Sequence, residues 1–195
     1  MRRSPDHRYR DQVLRLVLLN GAPGSGKSTL ARRYAEEHPL TLVLDIDQVR
    51  GMLGRWLDQP IEAGLLAREL AIAMARAQLR VGRDVLVPQY LGQLEFIGRL
   101  EELAAEVEAQ FIELALISDR DDVVRRFERR SASSTDPVHR DAAELQRRSG
   151  GREQLAATHD KLLAVVAARP ATRVIASTGG DVDGTYQLLR ARLDQ

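Results

Sequence analysis

An α/β domain with a five-stranded parallel sheet between two layers of helices is the fold class this sequence predicts. Three observations predict it. Five short apolar runs alternate along the chain with longer stretches whose apolar residues recur at helical spacing, and strands separated by helices pair in parallel with helices on both faces. The first run leads straight through a glycine-rich loop into a helical segment, a strand–loop–helix order. A chain of 195 residues, 44% hydrophobic and 29% charged, has the length and composition of one globular domain with a single sizeable core.

The elements follow in order. VLRLVLL (13–19) reads as a buried first strand, and KSTLARRYAEEH (27–38) as a helix with Leu30, Ala31, Tyr34 and Ala35 at helical spacing, closed by His38 and Pro39. LTLVLDID (40–47) reads as the second strand, ending in two carboxylates, with a helix starting near Gln48. Residues 61–81 form a long helical stretch that places Leu65, Leu66, Leu70 and Met74 on one side and stops at Gly82. DVLVPQY (84–90) is the third strand, with Pro88 tolerated at its end. LEFIGRLEELAAEV (94–107) carries Leu94, Ile97, Leu100, Leu103, Ala104 and Val107 on one stripe and is a helix. QFIELALI (110–117) is the fourth strand, after which Ser118 or Asp119 caps a helix over 120–130. SASSTDP (131–137) is a polar loop, TRVIAST (172–178) the fifth strand, and GGDVDG leads into a last helix through Leu188, Leu189 and Leu193.

Composition excludes several classes. A formal charge of +1 gives no strong field for nucleic acid or an acidic membrane. The absence of cysteine removes disulfides, thiolate nucleophiles and cysteine-rich zinc sites. His7, His38, His139 and His159 have no metal-ligand spacing and read as surface or capping residues, with His139 the one that could enter a site. The segment VLRLVLL is too short and too interrupted for a signal or membrane segment, so a cytoplasmic protein without membrane contact is expected. Of the 29 basic residues only Lys27 and Lys161 are lysine, which sets apart the lysine inside the glycine loop.

That loop carries the chemistry. Gly21, Ala22, Pro23, Gly24, Ser25, Gly26, Lys27 and Ser28 match G-x-x-x-x-G-K-[ST] at every position. Glycines at 21, 24 and 26 permit torsions and close approaches that a Cβ forbids, so successive N–H groups can turn toward phosphate oxygens. A helix starting near Lys27 adds its N-terminal partial charge to the same place. Lys27 can reach the β and γ phosphates, and the Ser28 hydroxyl, followed by Thr29, suits Mg²⁺. A P-loop NTPase three-layer sandwich binding ATP and Mg²⁺ is therefore expected.

Among P-loop proteins, a GTPase needs N-K-x-D, and Asn20 is the only asparagine. The D-x-x-G at Asp181–Gly184 follows the fifth strand and reads as a helix-capping turn. Glutamine-loop and signature motifs of ABC ATPases are absent. With LLNGAPGSGKS, LDID, DVLVPQYLG and LISDRDDVVRRFERR, the sequence resembles the small-molecule and nucleoside kinase group of P-loop proteins over most of its length. It is similar to AAA_33-type ATP-binding proteins, to tunicamycin-resistance-like and zeta-toxin-like proteins, and to shikimate and gluconate kinases. The glycine-glycine-arginine pattern of shikimate kinase is missing, because Pro88, Gln89 and Tyr90 stand there.

The resemblance implies a nucleoside-monophosphate-kinase-like domain over 1–195, with a lid at 128–150. It implies Asp47 as the base that receives the substrate hydroxyl proton and Asp45, with Ser28, as the metal helper. At the end of a strand these two carboxylates would share one side of the pleat, at the edge where open α/β sheets bind ligands. It also implies that lid arginines, such as Arg126 and Arg130 at i, i+4 spacing, offset charge on the transferring phosphoryl group. Arg50 either meets the substrate or forms an ion pair with Asp47 or Asp58. Gln89 and Tyr90 could line the acceptor pocket, though Tyr90 could equally pack. STGGD (177–181) is a passage beside the adenine or a plain turn, and Arg55 and Trp56 mark a substrate cap or a buried aromatic.

The expected function is an ATP- and Mg²⁺-dependent phosphotransferase, a kinase acting on a hydroxyl of a small molecule such as an antibiotic, sugar or nucleoside. The alternative is an ATP-binding resistance or regulatory protein that sequesters its ligand without modifying it. A polynucleotide-end kinase is disfavoured by 4% aromatic content and by the lack of a basic stripe. The oligomeric state is left open.

Overall fold

The computed structural model describes residues 13–119, 122, 125, 126, 151–177 and 180–194. Five strands, β1 (Arg15–Gly21), β2 (Leu42–Val43), β3 (Val85–Val87), β4 (Gln110–Ile117) and β5 (Arg173–Ala176), form one sheet in the order β2-β3-β1-β4-β5. Every pairing is parallel, with Leu16 beside Val85 and Phe111 in register. The described helices are α1 (Lys27–Glu37), α2 (Ile46–Gly51), α3 (Pro60–Arg80), α4 (Leu94–Glu106), α5 (Gly151–Ala168) and α6 (Val182–Leu193), with a 3₁₀ turn at Trp56–Asp58.

Strand alternation makes the three layers. Leu16 and Leu18 of β1 point into one core, with Ala67, Ala75, Ile97, Leu100 and Val165, so α3, α4 and α5 cover that face. Val17 and Leu19 point into the other, with Leu30, Tyr34, Tyr186 and Leu189 of α1 and α6. A fully buried leucine contributes roughly 1.5–3 kcal/mol, and β1, buried on both faces from Leu16 to Gly21, is where both cores meet.

Element type matches the sequence expectation for five strands and for the helices over 27–38, 61–81, 94–107 and the C-terminal stretch; several details differ. LTLVLDID contributes only a two-residue strand. As an edge strand β2 has β3 as its single neighbour, and α2 already starts at Ile46, because the Asp45 carboxylate accepts the Asp47 N–H at 3.0 Å and caps it. The two carboxylates thus sit on a cap and a helical first turn and do not share a strand pleat. In α3 the expected leucine face is outward: Leu65, Leu66, Leu70 and Met74 are exposed, and the buried stripe is Ala63, Ala67, Ala71, Ala75 and Leu79. Small side chains let the helix lie close to the sheet and to α4, where leucines would hold it off. Leu94 and Leu188 are likewise exposed at the rims of their helices.

The capping expectations are met. Asp181 accepts the Gly184 N–H at 2.7 Å, so the D-x-x-G is a helix cap. Asp119 accepts the Asp122 N–H at 3.2 Å, and His38 closes α1 through the Tyr34 carbonyl at 2.8 Å while stacking on the Tyr34 ring. The loop 131–137, the expected lid 128–150, His7, His139 and Arg130 lie outside the described residues.

Candidate active site

The carboxyl ends of β1 and β3 and the start of α1 converge on one edge of the sheet. At the end of β1 the chain turns through Ala22–Gly26, with the Ser25 N–H bonded to the Ala22 carbonyl at 3.1 Å. Gly24 (φ 87°) and Gly26 (φ 96°) are left-handed, a conformation that other residues take only with strain. Gly21 is required for a different reason: a Cβ there would stand 2.6 Å from Ser25 Oγ and 3.3 Å from the Leu116 carbonyl oxygen.

Gly26 is the N-cap of α1. No side chain caps this helix and no acid stands in its first turn, so the N–H groups of Lys27 and Ser28 open the helix toward the loop, where an anion is favoured, while the Thr29 N–H bonds back to the Gly26 carbonyl at 3.0 Å. Lys27 Nζ lies 3.5 Å from the Ala22 carbonyl, folded back over the loop. Ala22 and Ser25 are buried, while Pro23, Gly24, Lys27 and Ser28 are partly open. The Ser25 hydroxyl has no hydrogen-bond partner among the described residues.

The acidic pair stands beside this loop. Burial holds the Asp45 carboxyl above its ordinary range, the neighbouring Asp47 charge raises it further, and Lys27 pulls it back down. Asp47 is the centre of a small polar cluster. Arg50 Nη2 pairs with Asp47 Oδ1 at 2.9 Å, and Gln89 Nε2 donates to Asp47 Oδ2 at 3.4 Å. The Arg50 guanidinium lies 4.5 Å from the centre of the Trp56 ring, so Trp56, 8% exposed, is a buried aromatic that fixes Arg50. The structure thus joins Asp47, Arg50 and Gln89, and Arg50 takes the ion pair with Asp47; Asp58 pairs instead with Arg55. Arg50 Nε and Gln89 Oε1 are buried without partners among the described residues.

Tyr90 points elsewhere, into a neighbouring cleft with Gly92, and burial raises its phenol above the ordinary range. Arg126 donates to the Asp122 carbonyl at 3.2 Å and keeps Nη2 buried and unpartnered among the described residues; Arg125 pairs with Asp122. No group of three or more His, Asp or Glu side chains able to hold a metal occurs among the described residues.

Asn20 is a site residue that sequence reasoning missed. Its Nδ2 donates to the Leu91 carbonyl at 3.0 Å, and its Oδ1 accepts the N–H groups of Leu91 and Gly21, each at 2.9 Å. At 1% exposure it ties the start of the glycine loop to the segment after β3. The available signal was a polar residue directly after the apolar run Leu16–Leu19.

Similar proteins point the same way. The chain is 30% identical over 148 residues to "Uncharacterized protein Rv2004c" of Mycobacterium tuberculosis, an alignment covering 70% of this chain and 30% of the relative; a Mycobacterium bovis counterpart, "Uncharacterized protein Mb2027c", matches to the same extent. The chain therefore spans less than a third of the length of these relatives. Among solved structures, the Mycobacterium tuberculosis APS kinase CysC in complex with AMPPNP and APS superposes with a TM-score of 0.60 at 18% identity, covering 94% of this chain and 99% of that one. A gluconokinase from Sinorhizobium meliloti 1021 gives 0.59 at 16% identity, covering 93% and 94%. These likenesses establish a P-loop kinase fold. A family model described as AAA domain matches residues 16–155, and with its complete glycine loop on that fold the chain belongs to the AAA_33 family.

Proposed function

We propose that the protein is an ATP- and Mg²⁺-dependent phosphotransferase that acts on a hydroxyl of a small molecule. The observation that carries this reading is the juxtaposition of Asp47, Arg50 and Gln89 beside the P-loop, near enough that the Lys27 charge lowers the Asp45 carboxyl that burial raises.

The residues fit the nucleotide and its metal. Uncapped α1 amides and the Gly24–Gly26 turn offer donors to phosphate oxygens, and the costly charge on buried Asp45 is relieved by a nearby dication. When bound, Mg²⁺ supplies neutralisation of charge between the β and γ phosphates. Ser28 and Asp45 would hold it, and Gly21 through Thr29 would hold the triphosphate, with Lys27 at its β and γ groups.

In this reading Asp47 accepts the proton of the attacking hydroxyl at a carboxylate oxygen. Arg50 and Gln89 orient that carboxylate through the contacts they make to its two oxygens. Arg126, whose Nη2 has no partner among the described residues, and Arg130 offset charge on the phosphoryl group.

The test is Mg·ATP turnover by the purified protein on a panel of hydroxylated antibiotics, nucleosides and sugars, with product followed by mass spectrometry. Phosphorylated product that disappears in Lys27→Ala supports the reading. Asp47→Asn should lower turnover by roughly 10²–10⁴-fold, the usual worth of a general base, with ATP binding retained. ATP binding without product from any acceptor would instead support a sequestering protein.

A further inference from the structure

Next to the Asp47 cluster lies a cleft of about 320 Å³ between α3, the segment after β3, α4 and α5. That volume is in the range of small-molecule sites, about 300–1,000 Å³. Its walls carry three cations, Arg68, Arg99 and Lys161, and two carboxylates, Glu69 and Glu95. Arg99 is already matched, through a two-pronged pair with Glu69 at 2.6 and 2.8 Å. Arg68 has no carboxylate partner among the described residues and lies 5.8 Å from the centre of the Phe96 ring. Lys161 makes no ion pair or hydrogen bond among the described residues. With Glu95 as the one further acid among its described walls, the cleft keeps a net positive charge that no described carboxylate pairs with.

The cleft also has a formed floor. The Tyr90 hydroxyl folds onto Gly92 so closely that a Cβ on that glycine would collide with it, and Lys161 Cβ stands 3.5 Å from the same point. Gly92 is therefore the residue that lets the Tyr90 phenol and the Lys161 stem enter the cleft together. Position ties the cleft to the transfer site: Gln89 reaches Asp47 while Tyr90, one residue later and about 3.8 Å away along the backbone, lines the cleft. Leu91, on the cleft wall, is bolted to the glycine loop by Asn20.

We propose that this cleft binds an anionic group of the phosphoryl acceptor, a phosphate, sulfate or carboxylate, through Arg68 and Lys161. The acceptor is then a hydroxylated anion whose alcohol lies at Asp47 and whose charge lies between α3 and α5. This rests on the phosphotransferase reading. Arg68 and Lys161 have exposed side chains, so truncating them leaves the fold in place.

The experiment uses the full chain saturated with Mg·AMPPNP, which occupies the P-loop and removes it as a competing anion site. Ribose, ribose 5-phosphate and glucuronate are then titrated by calorimetry. Expected is measurable binding of at least one of the two anions, stronger than that of ribose. Arg68→Ala and Lys161→Ala should each weaken it about tenfold, equivalent to about 1.4 kcal/mol, and Gly92→Ala should weaken it by displacing Tyr90. Preference for the phosphate or for the carboxylate identifies which anion the acceptor carries. Absence of binding by both anions, binding equal to ribose, or undiminished binding in both cation variants overturns the proposal. AMPPNP binding in the same samples, lost in Lys27→Ala, reports on the nucleotide site, and product formation from Mg·ATP on the acceptor panel reports on phosphoryl transfer, so failure of the cleft and failure of the phosphotransferase reading are distinguishable.

Discussion

Asn20 shows how much one side chain can hold at this edge. Its three hydrogen bonds satisfy two N–H groups and one carbonyl that are otherwise buried, and each orphaned buried group costs about 1–3 kcal/mol. Asn20→Leu should lower stability by about 2–4 kcal/mol, read as a lower urea midpoint. A change within about 0.5 kcal/mol would mean the loop is held by other contacts. Asp84 makes a second prediction at this scale. Its carboxylate accepts the Arg15 N–H at 2.9 Å, yet burial raises its carboxyl above the ordinary aspartate range, against the pull of Arg15. A raised carboxyl favours the folded state fully at pH below the ordinary aspartate value of about 3.9, and that advantage is lost as pH rises through the folded value. Asp84→Asn keeps an acceptor for Arg15 and removes the charge. The melting temperature of the variant relative to the parent should therefore rise between about pH 4 and about pH 7; a gap that narrows toward neutrality would contradict this sign. Neither residue is marked by periodicity, which is why the sequence pattern shows Asp84 only as the polar start of a strand.

Between elements, the clearest link is Arg169, just past the end of α5. It pairs with Glu113 of β4 and, at 2.9 Å, with Glu101 of α4. The Glu113 side chain is only 4% exposed, so Arg169→Met leaves a buried charge without its partner, a loss of about 3–5 kcal/mol. The double variant Glu113→Leu with Arg169→Met should recover most of that loss in chemical denaturation; a double variant as unstable as the single one would place the damage in packing. Legibility in the sequence divides at this scale. Helical stripes identify α1 and α4 nearly to the residue because each buries one continuous face, and a continuous apolar run identifies β4 because it is buried on both faces inside the sheet. In α3 alanines and leucines recur at the same helical spacing on two sides, and hydrophobicity alone favours the leucines. The packing favours alanine because helix and sheet approach closely there. In LTLVLDID the apolar run is real, but an edge position and an Asp cap turn its second half into helix.

For the molecule as a whole, the glycine loop was readable because its glycines answer to backbone torsions and near contacts within one short segment. The cluster around Asp47 was only partly readable: its members come from α2 and from beyond β3, and only folding shows that Gln89 and Arg50 meet the same carboxylate while Tyr90 turns away. If the loop holds nucleotide, ligand binding is linked to global stability. At a Mg·ATP concentration 100 times its dissociation constant the domain should gain about 2.7 kcal/mol, visible as a higher melting temperature in the parent and absent in Lys27→Ala. An equal shift in both would show that the nucleotide binds somewhere other than the loop. No described helix is long and apolar enough to cross a membrane. The strand order carries a last consequence. β1 is flanked in space by β3 and β4, so the strand that delivers the glycine loop is complete on both sides only once Gln110–Ile117 has been made. During synthesis the loop emerges early and its second wall late. A nascent chain on the ribosome therefore carries a full phosphate-binding motif long before that motif has both its walls, and any ligand of the loop can favour folding only after β4 has left the exit tunnel.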